Sequence, residues 1–302
     1  MPAQVPAGYT RGSILLLNPA PTTQSLAEQL QRFWGEAGGY GARVLILTVG
    51  QGSGQSTEIA GTYAALLREW ETRTVKVELL PTRRAAQQLG SDEIERATGI
   101  LLLGDDALQM AAVLGGTAAA QGLRRANARS KALAGVAASA TFLCQHMLFV
   151  KQTPASAGSI YFAPGLGAIN RVAVMTPREA SRLTEEQITE DLLRGVSFNP
   201  FLVGLGLTTG MGAVIYPNST IEVFGPGSAL LVDAAAVSDE SLFNLALASD
   251  YTASIAPISL ANAPGINIHR LAAGDTFHLD PRTVERSART DIPRSGAPLP
   301  EP

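Results

Sequence analysis

Through the first two-thirds of the chain, short apolar runs alternate with amphipathic stretches. Ser13–Leu17 (SILLL), Arg43–Thr48 (RVLILT), Val75–Leu80 and Gly99–Leu103 (GILLL) are short and bounded by Gly, Pro or Asn, the pattern of buried strands. Between them, Ser25–Glu36 and Thr57–Glu71 are long and periodic enough for helices, and Asp92–Ala97 predicts a shorter helical turn. Lys131–Ala137 predicts the next strand, followed by a helix from Ala140 to about Val150. Strand, helix, strand repeated in this way predicts an α/β fold: a mostly parallel central sheet flanked by helices.

After Pro200 the texture changes. FLVGLGL, GAVIYP, STIEVF and SALLVDA are strand-like and separated by Gly, Pro and Asn, with a hairpin at YPNST, so additional β-hairpins are expected in the C-terminal third. Ser241–Ser249 predicts a helix, and Asn267–Leu271 (NIHRL) a last strand. No internal repeat and no Gly/Ser linker divides the chain. One domain over residues 1–280 is expected, followed by a flexible, Pro-rich tail over 281–302.

Composition narrows the function classes. The 302 residues are 46% hydrophobic and 16% charged, enough for a sizeable core. A net charge of -3 without a basic stripe argues against nucleic acid. The start, MPAQVPAGYTRG, lacks the basic and apolar regions of a secretory signal, and no apolar run reaches the roughly 18 residues of a membrane span. Cys144 stands alone, so no internal disulfide forms and a cytoplasmic location is expected.

Candidate chemistry is sparse. His146, His269 and His278 do not cluster, and neither HExxH nor CxxC occurs, so no metal and no cofactor is expected. GQGSGQS (50–56) is either a plain loop or a cradle for an anion on free backbone N–H groups. In KALAGVAASATFLCQHMLF an apolar strand runs into Ala138-Ser139-Ala140 and an apolar helix follows. A serine at a strand-to-helix turn is the arrangement of a nucleophile elbow, in which the following N–H, here of Ala140, stabilises an oxyanion; close packing of small residues would produce the same pattern.

Five collinear stretches carry a family resemblance over roughly residues 13–280: EAGGYGARVLILTVGQGSG, IERATGILLLGDDALQM, KALAGVAASATFLCQHMLF, NPFLVGLGLTTGMGAVIYPNSTIEVFGPGSALLVD and INIHRLAAGDTFHLDPR. The chain resembles the cyanophycinase family of serine peptidases, which implies a class I glutamine amidotransferase-like fold. The family's GTSAGA nucleophile motif falls on the third stretch, with its serine on Ser139 and Ala140 after it. The resemblance places Asp105, Asp106 and Ala107 on the family's GGDQ substrate loop, the second Gly becoming Asp105 and the Gln becoming Ala107. In the segment MTPR, Pro177 replaces the family histidine, and Thr209 replaces the acid that ends GiGidE.

A serine hydroxyl needs a base within hydrogen-bond reach. His146, two turns along the expected helix, would stand about 10 Å from Ser139. Asp105 and Asp106 are either solvated loop residues or bases for a different reaction. The expected function is a catalytically inactive or strongly impaired cyanophycinase-like protein. The resemblance implies cyanophycin or a β-aspartyl peptide as ligand, and a homodimer or a heterodimer with a related active chain. The alternative is a serine hydrolase using Ser139 with an altered base. Arg178 and Arg182 are either substrate-pocket groups or a solvated helix face.

Overall fold

The computed structural model describes residues 1–20, 22–50, 55–153, 156–176, 185–237 and 265–287. Five apolar runs form the parallel block of the main sheet: β1 (Ile14–Leu17), β2 (Arg43–Val49), β3 (Thr74–Leu80), β4 (Gly99–Leu103) and β5 (Ala132–Val136). They lie in the order β1-β5-β4-β2-β3, each parallel to its neighbours. Residues alternate between the two faces, as the strand period requires. Leu16, Leu45, Leu47, Leu102 and Leu133 pack on one side with Met110 and Leu123. Leu15, Leu17, Val44, Ile46, Leu101 and Val136 pack on the other with Phe33, Tyr63 and Leu67. A strand buried on both faces has no polar side to show, which is why β1, β2, β4 and β5 read as continuous apolar segments, whereas β3 at the edge carries Lys76 and Glu78 and is mostly exposed.

Helices α1 (Thr23–Glu36) and α2 (Gln55–Glu69) cover the second face. On the first lie α3 (Arg83–Gln88), α4 (Ser91–Arg96), α5 (Ala107–Leu114), α6 (Ala118–Ala128) and α7 (Ala138–Leu143). The starts of α3, α5 and α6 are capped by Thr82, Asp106 and Thr117, each accepting from the N–H three residues on.

Beyond α7 come β6 (His146–Thr153), β7 (Ser156–Pro164), β8 (Val172–Met175), α8 (Glu185–Phe198), β9 (Val203–Leu207), β10 (Gly212–Ile215), β11 (Thr220–Phe224), β12 (Ser228–Asp233), β13 (Asn267–Ala272), β14 (Thr276–His278) and β15 (Thr283–Glu285). β10, β11, β14 and β15 extend the main sheet antiparallel from β1, giving nine strands. The expected YPNST hairpin joins β10 to β11. β13, β12, β9 and β8 form a second sheet, packed with α8 around Leu192, Val196, Leu230 and Val232. Among the described residues no helix is long and apolar enough to cross a membrane.

Three expectations are corrected. The helix over 140–150 ends at Leu143; Cys144 is extended, and β6 pairs antiparallel with β7. An apolar run does not distinguish helix from strand until its partner is known, and here the partner supplies the stacked pair Phe149–Tyr161 with ring centroids 5.6 Å apart. Asn267–Leu271 is not the last strand, and the tail does not begin at Pro281. Thr283–Glu285 pairs with β14, Arg282 pairs with the buried Asp233, and Arg286 pairs with Asp275. The helix expected over 241–249 lies outside the described residues.

Candidate functional site

The carboxyl ends of β1, β2, β4 and β5 share one edge of the sheet, where α/β folds place ligands. At this edge β5 turns into α7. Gly135 permits the tight return: a Cβ there would stand 2.6 Å from the backbone carbon of Ser139. The turn residue is Ala137, with φ 50° and ψ -116°, a conformation an L-residue adopts only under constraint. Its N–H donates to Leu17 O at 2.7 Å, and its carbonyl accepts from Thr176 Oγ1 at 3.0 Å and from the Ala140 N–H at 2.9 Å. Those bonds to β1, to the chain leaving β8 and to α7 fix the strained peptide.

Ser139 was expected at the turn; it lies inside the first turn of α7 instead and is fully buried. Its hydroxyl donates to Met110 Sδ at 3.3 Å, a thioether with no capacity to take a proton at neutral pH. Ala140 is likewise buried, and its N–H is committed to Ala137 O rather than open to an oxyanion. His146 stands on β6, so the helical spacing to Ser139 does not exist; its ring packs edge-on against Phe162, and Nε2 lies 3.3 Å from Gln145 Nε2. His278 lies on β14, four strands from β5, with Nδ1 on Thr220 Oγ1 at 2.9 Å. His269 is on the second sheet, where burial and then Arg286 lower its pKa.

The two acids of the loop after β4 serve the backbone. Asp105 accepts from the Ser56 N–H at 3.0 Å and from Ser56 Oγ at 3.3 Å, at the start of α2. Asp106 caps α5 by accepting from the Gln109 N–H at 2.8 Å, and Ala107 is the buried first residue of that helix. Both carboxylates sit where the positive ends of helices favour them. Thr209 is half-buried in the turn between β9 and β10, which Asn18 ties to β1: Asn18 Nδ2 donates to Leu207 O at 2.8 Å, and the Gly210 N–H donates to Asn18 O at 2.7 Å. Pro177, Arg178 and Arg182 lie outside the described residues.

Burial pushes the Cys144 thiol up to about 12, which keeps it a thiol and inert. Among the described residues no group of three His, Cys, Asp or Glu side chains is placed to hold a metal. Lys131 precedes β5 and so stands at the opposite end of that strand from the turn, with Nζ on Ala97 O at 2.6 Å. Sequence reasoning missed Ala137, Met110 and Thr176. An alanine offers no chemical signal, and only the backbone dihedral marks it.

A parallel sheet with a strained strand-to-helix turn at its carboxyl edge defines the class as an α/β fold with an elbow-type turn. The chain superposes on a peptidase from an acI-B1 Actinobacterium with a TM-score of 0.60, covering 90% of this chain and 98% of that one at 18% identity. No model of a known protein family matches. The chain is 28% identical over 274 residues to the cyanophycinase of Geminocystis herdmanii, covering 89% of this chain and 94% of that protein. It is 27% identical over 282 residues to the cyanophycinase of Trichormus variabilis, covering 91% and 88%. Its similarity to these cyanophycinases therefore runs over about nine-tenths of the chain.

Proposed function

We propose that this chain is a cyanophycinase homologue that binds a cyanophycin-like or β-aspartyl peptide without hydrolysing it, in the cytoplasm, as a homodimer or beside a related active chain. One observation carries this reading: the strained strand-to-helix turn is occupied by Ala137. A nucleophile elbow presents its nucleophile from that turn. Laid on the structure, the GTSAGA motif fits two residues earlier than its serine suggests. Its first Gly then falls on Gly135, where a Cβ has no room, its serine on Ala137, and its second Gly on Ser139. In this register the nucleophile is absent, and Ser139 is a buried helix residue.

Further support comes from the groups that would activate a substitute. Ser139 faces a thioether, and Asp105 and Asp106 are engaged as helix caps. Loss of a nucleophile or base from a serine hydrolase lowers the rate by about 10⁴–10⁶. Binding survives such a loss, because affinity and transition-state stabilisation are separable.

The test combines a fluorophosphonate probe, a product assay with cyanophycin, and calorimetry with a β-aspartyl-arginine dipeptide. The expected result is dipeptide binding, no stoichiometric labelling and no released product. Rapid labelling that disappears in Ser139→Ala, or turnover matching an active cyanophycinase, overturns the proposal. Absence of binding at millimolar dipeptide removes the peptide-binding part and leaves the partner-subunit role.

A further inference from the structure

The amino ends of β4 and β5 lie at the edge of the sheet opposite the Ala137 turn, about 16 Å away along the five residues of β5. A recess of about 220 Å³ opens there between α4, α6 and the segment before β1. Its floor is apolar and buried: Ile94 on α4, with Gly122 and Ala126 on α6. Gly122 lets the two helices meet, because a Cβ there would stand 2.8 Å from Ile94 Cδ1. Tyr9 adds a ring at the mouth and is 51% exposed. The chain around Tyr9 is tied to the turn between α6 and β5. The Thr10 N–H donates to Ser130 Oγ at 3.3 Å, Ser130 Oγ donates to Thr10 O at 2.8 Å, and the Gly12 N–H donates to Asn127 O at 2.7 Å.

The charged lining is Arg125, Arg129 and Lys131 against Glu95, an excess of positive charge in a chain of net charge -3. The dipole of α6 accounts for a base at its end. It does not account for three bases around one cavity, two of them four residues apart, where like charges repel. Their existing partners are few. Arg129 Nη1 lies 3.4 Å from Glu95 Oε1, and Lys131 Nζ donates to Ala97 O at 2.6 Å. Among the described residues Arg125 has no hydrogen bond or ion pair. Burial and then Arg43 lower the pKa of Lys131; Glu95 opposes that and Arg129 adds to it. The charge on this lysine is short of a counter-charge.

We infer that the recess binds a small organic oxyanion, a carboxylate or phosphate carried on a flat apolar body. The oxyanion meets Arg125, Arg129 and Lys131, and the body lies over Ile94 and Ala126 against the Tyr9 ring. Guanidinium groups pair with both kinds of oxyanion. An apolar floor with a few convergent polar groups is the make-up of a small-molecule site. Glu95 works against the ligand by occupying Arg129. The recess is remote from the Ala137 turn, so its ligand does not depend on whether the chain hydrolyses anything.

Calorimetry on the full chain at low salt tests this with phenyl phosphate and benzoate, which tell phosphate from carboxylate. Inorganic phosphate lacks the ring, and phenol lacks the anion. At least one of the first two should bind one-to-one with Kd at or below about 1 mM, and both controls at least tenfold more weakly. Arg125→Ala should weaken binding at least tenfold. Tyr9→Ala should weaken the probes that carry a ring and leave inorganic phosphate unchanged. Glu95→Gln should tighten binding about threefold, the worth of an exposed ion pair. Thermal unfolding shows that each variant is folded. No saturable binding of phenyl phosphate or benzoate, inorganic phosphate binding as tightly as either, or a folded Arg125→Ala of wild-type affinity overturns the inference.

Discussion

Among the described residues three aspartates are buried, Asp191, Asp233 and Asp275, and the surroundings of Asp275 and Asp191 treat them in opposite ways. Asp275, at the corner between β13 and β14, accepts from the N–H groups of Ala272 (2.9 Å) and Ser287 (3.0 Å), from Ser287 Oγ (3.3 Å) and from Arg286 Nη1 (2.6 Å). Burial alone would raise its pKa, but these donors hold it at about 2. Asp191, on α8, is 8% exposed, and burial pushes it up to about 6; Arg194 pulls it down and Glu190 pushes it further up. Burial acts with the same sign at both places. The supply of donors decides which group is a charged clasp and which is a strained charge.

Asp275→Asn should produce the largest effect, because it removes charge from a clasp that ties the C-terminal strands to the sheet. We expect a loss of about 2–4 kcal/mol at pH 7 by denaturant unfolding. The native pKa lies below the unfolded value near 4, so this stability is present above about pH 4 and drains away as pH falls towards 2. An Asp275→Asn variant of wild-type stability at pH 7 would mean the donors are not engaged in solution.

Asp191→Asn sharpens the contrast with the reverse sign. Its native pKa lies above the unfolded value, so the ionised form costs stability above about pH 6, and that cost fades as pH falls from 6 to 4. The variant should gain about 1–2 kcal/mol at pH 7.5 and nothing at pH 4.5. A gain independent of pH would break the account.

Tyr63 supplies the limiting case and the smallest effect. It is fully buried against the sheet, and among the described residues its hydroxyl has no partner. Tyr63→Phe removes an unsatisfied group of nearly the same shape, so its stability should stay within about 0.5 kcal/mol of the wild type or rise slightly. A loss above about 1 kcal/mol would reveal a partner for the hydroxyl.

What the sequence displayed depended on whether a physical signal was local. Four runs of the parallel block, β1, β2, β4 and β5, were legible because a strand buried on both faces leaves an unbroken apolar word, whereas β3 at the edge showed itself by alternation. The start of α5 at Asp106 was equally local, yet an acid before an apolar turn also resembles a solvated loop, and its helix went unread. The β6–β7 hairpin was illegible because its first strand looks helical until Tyr161 is known to lie across from Phe149. The elbow was half legible: GVAASA announced a strand meeting a helix, but its one serine, Ser139, drew the register two residues past the turn. Dihedral angles, not residue chemistry, marked Ala137.

That alanine has a consequence for engineering. Its posture is imposed by the close return of α7 over Gly135 and by bonds from Leu17, Thr176 and Ala140, none of which involves its own side chain. The turn is therefore an empty socket. A serine or cysteine introduced there inherits a pre-shaped backbone and asks little new strain of the fold. What it lacks is a proton acceptor, and a designer could add that as a separate part, leaving the frame of the protein alone.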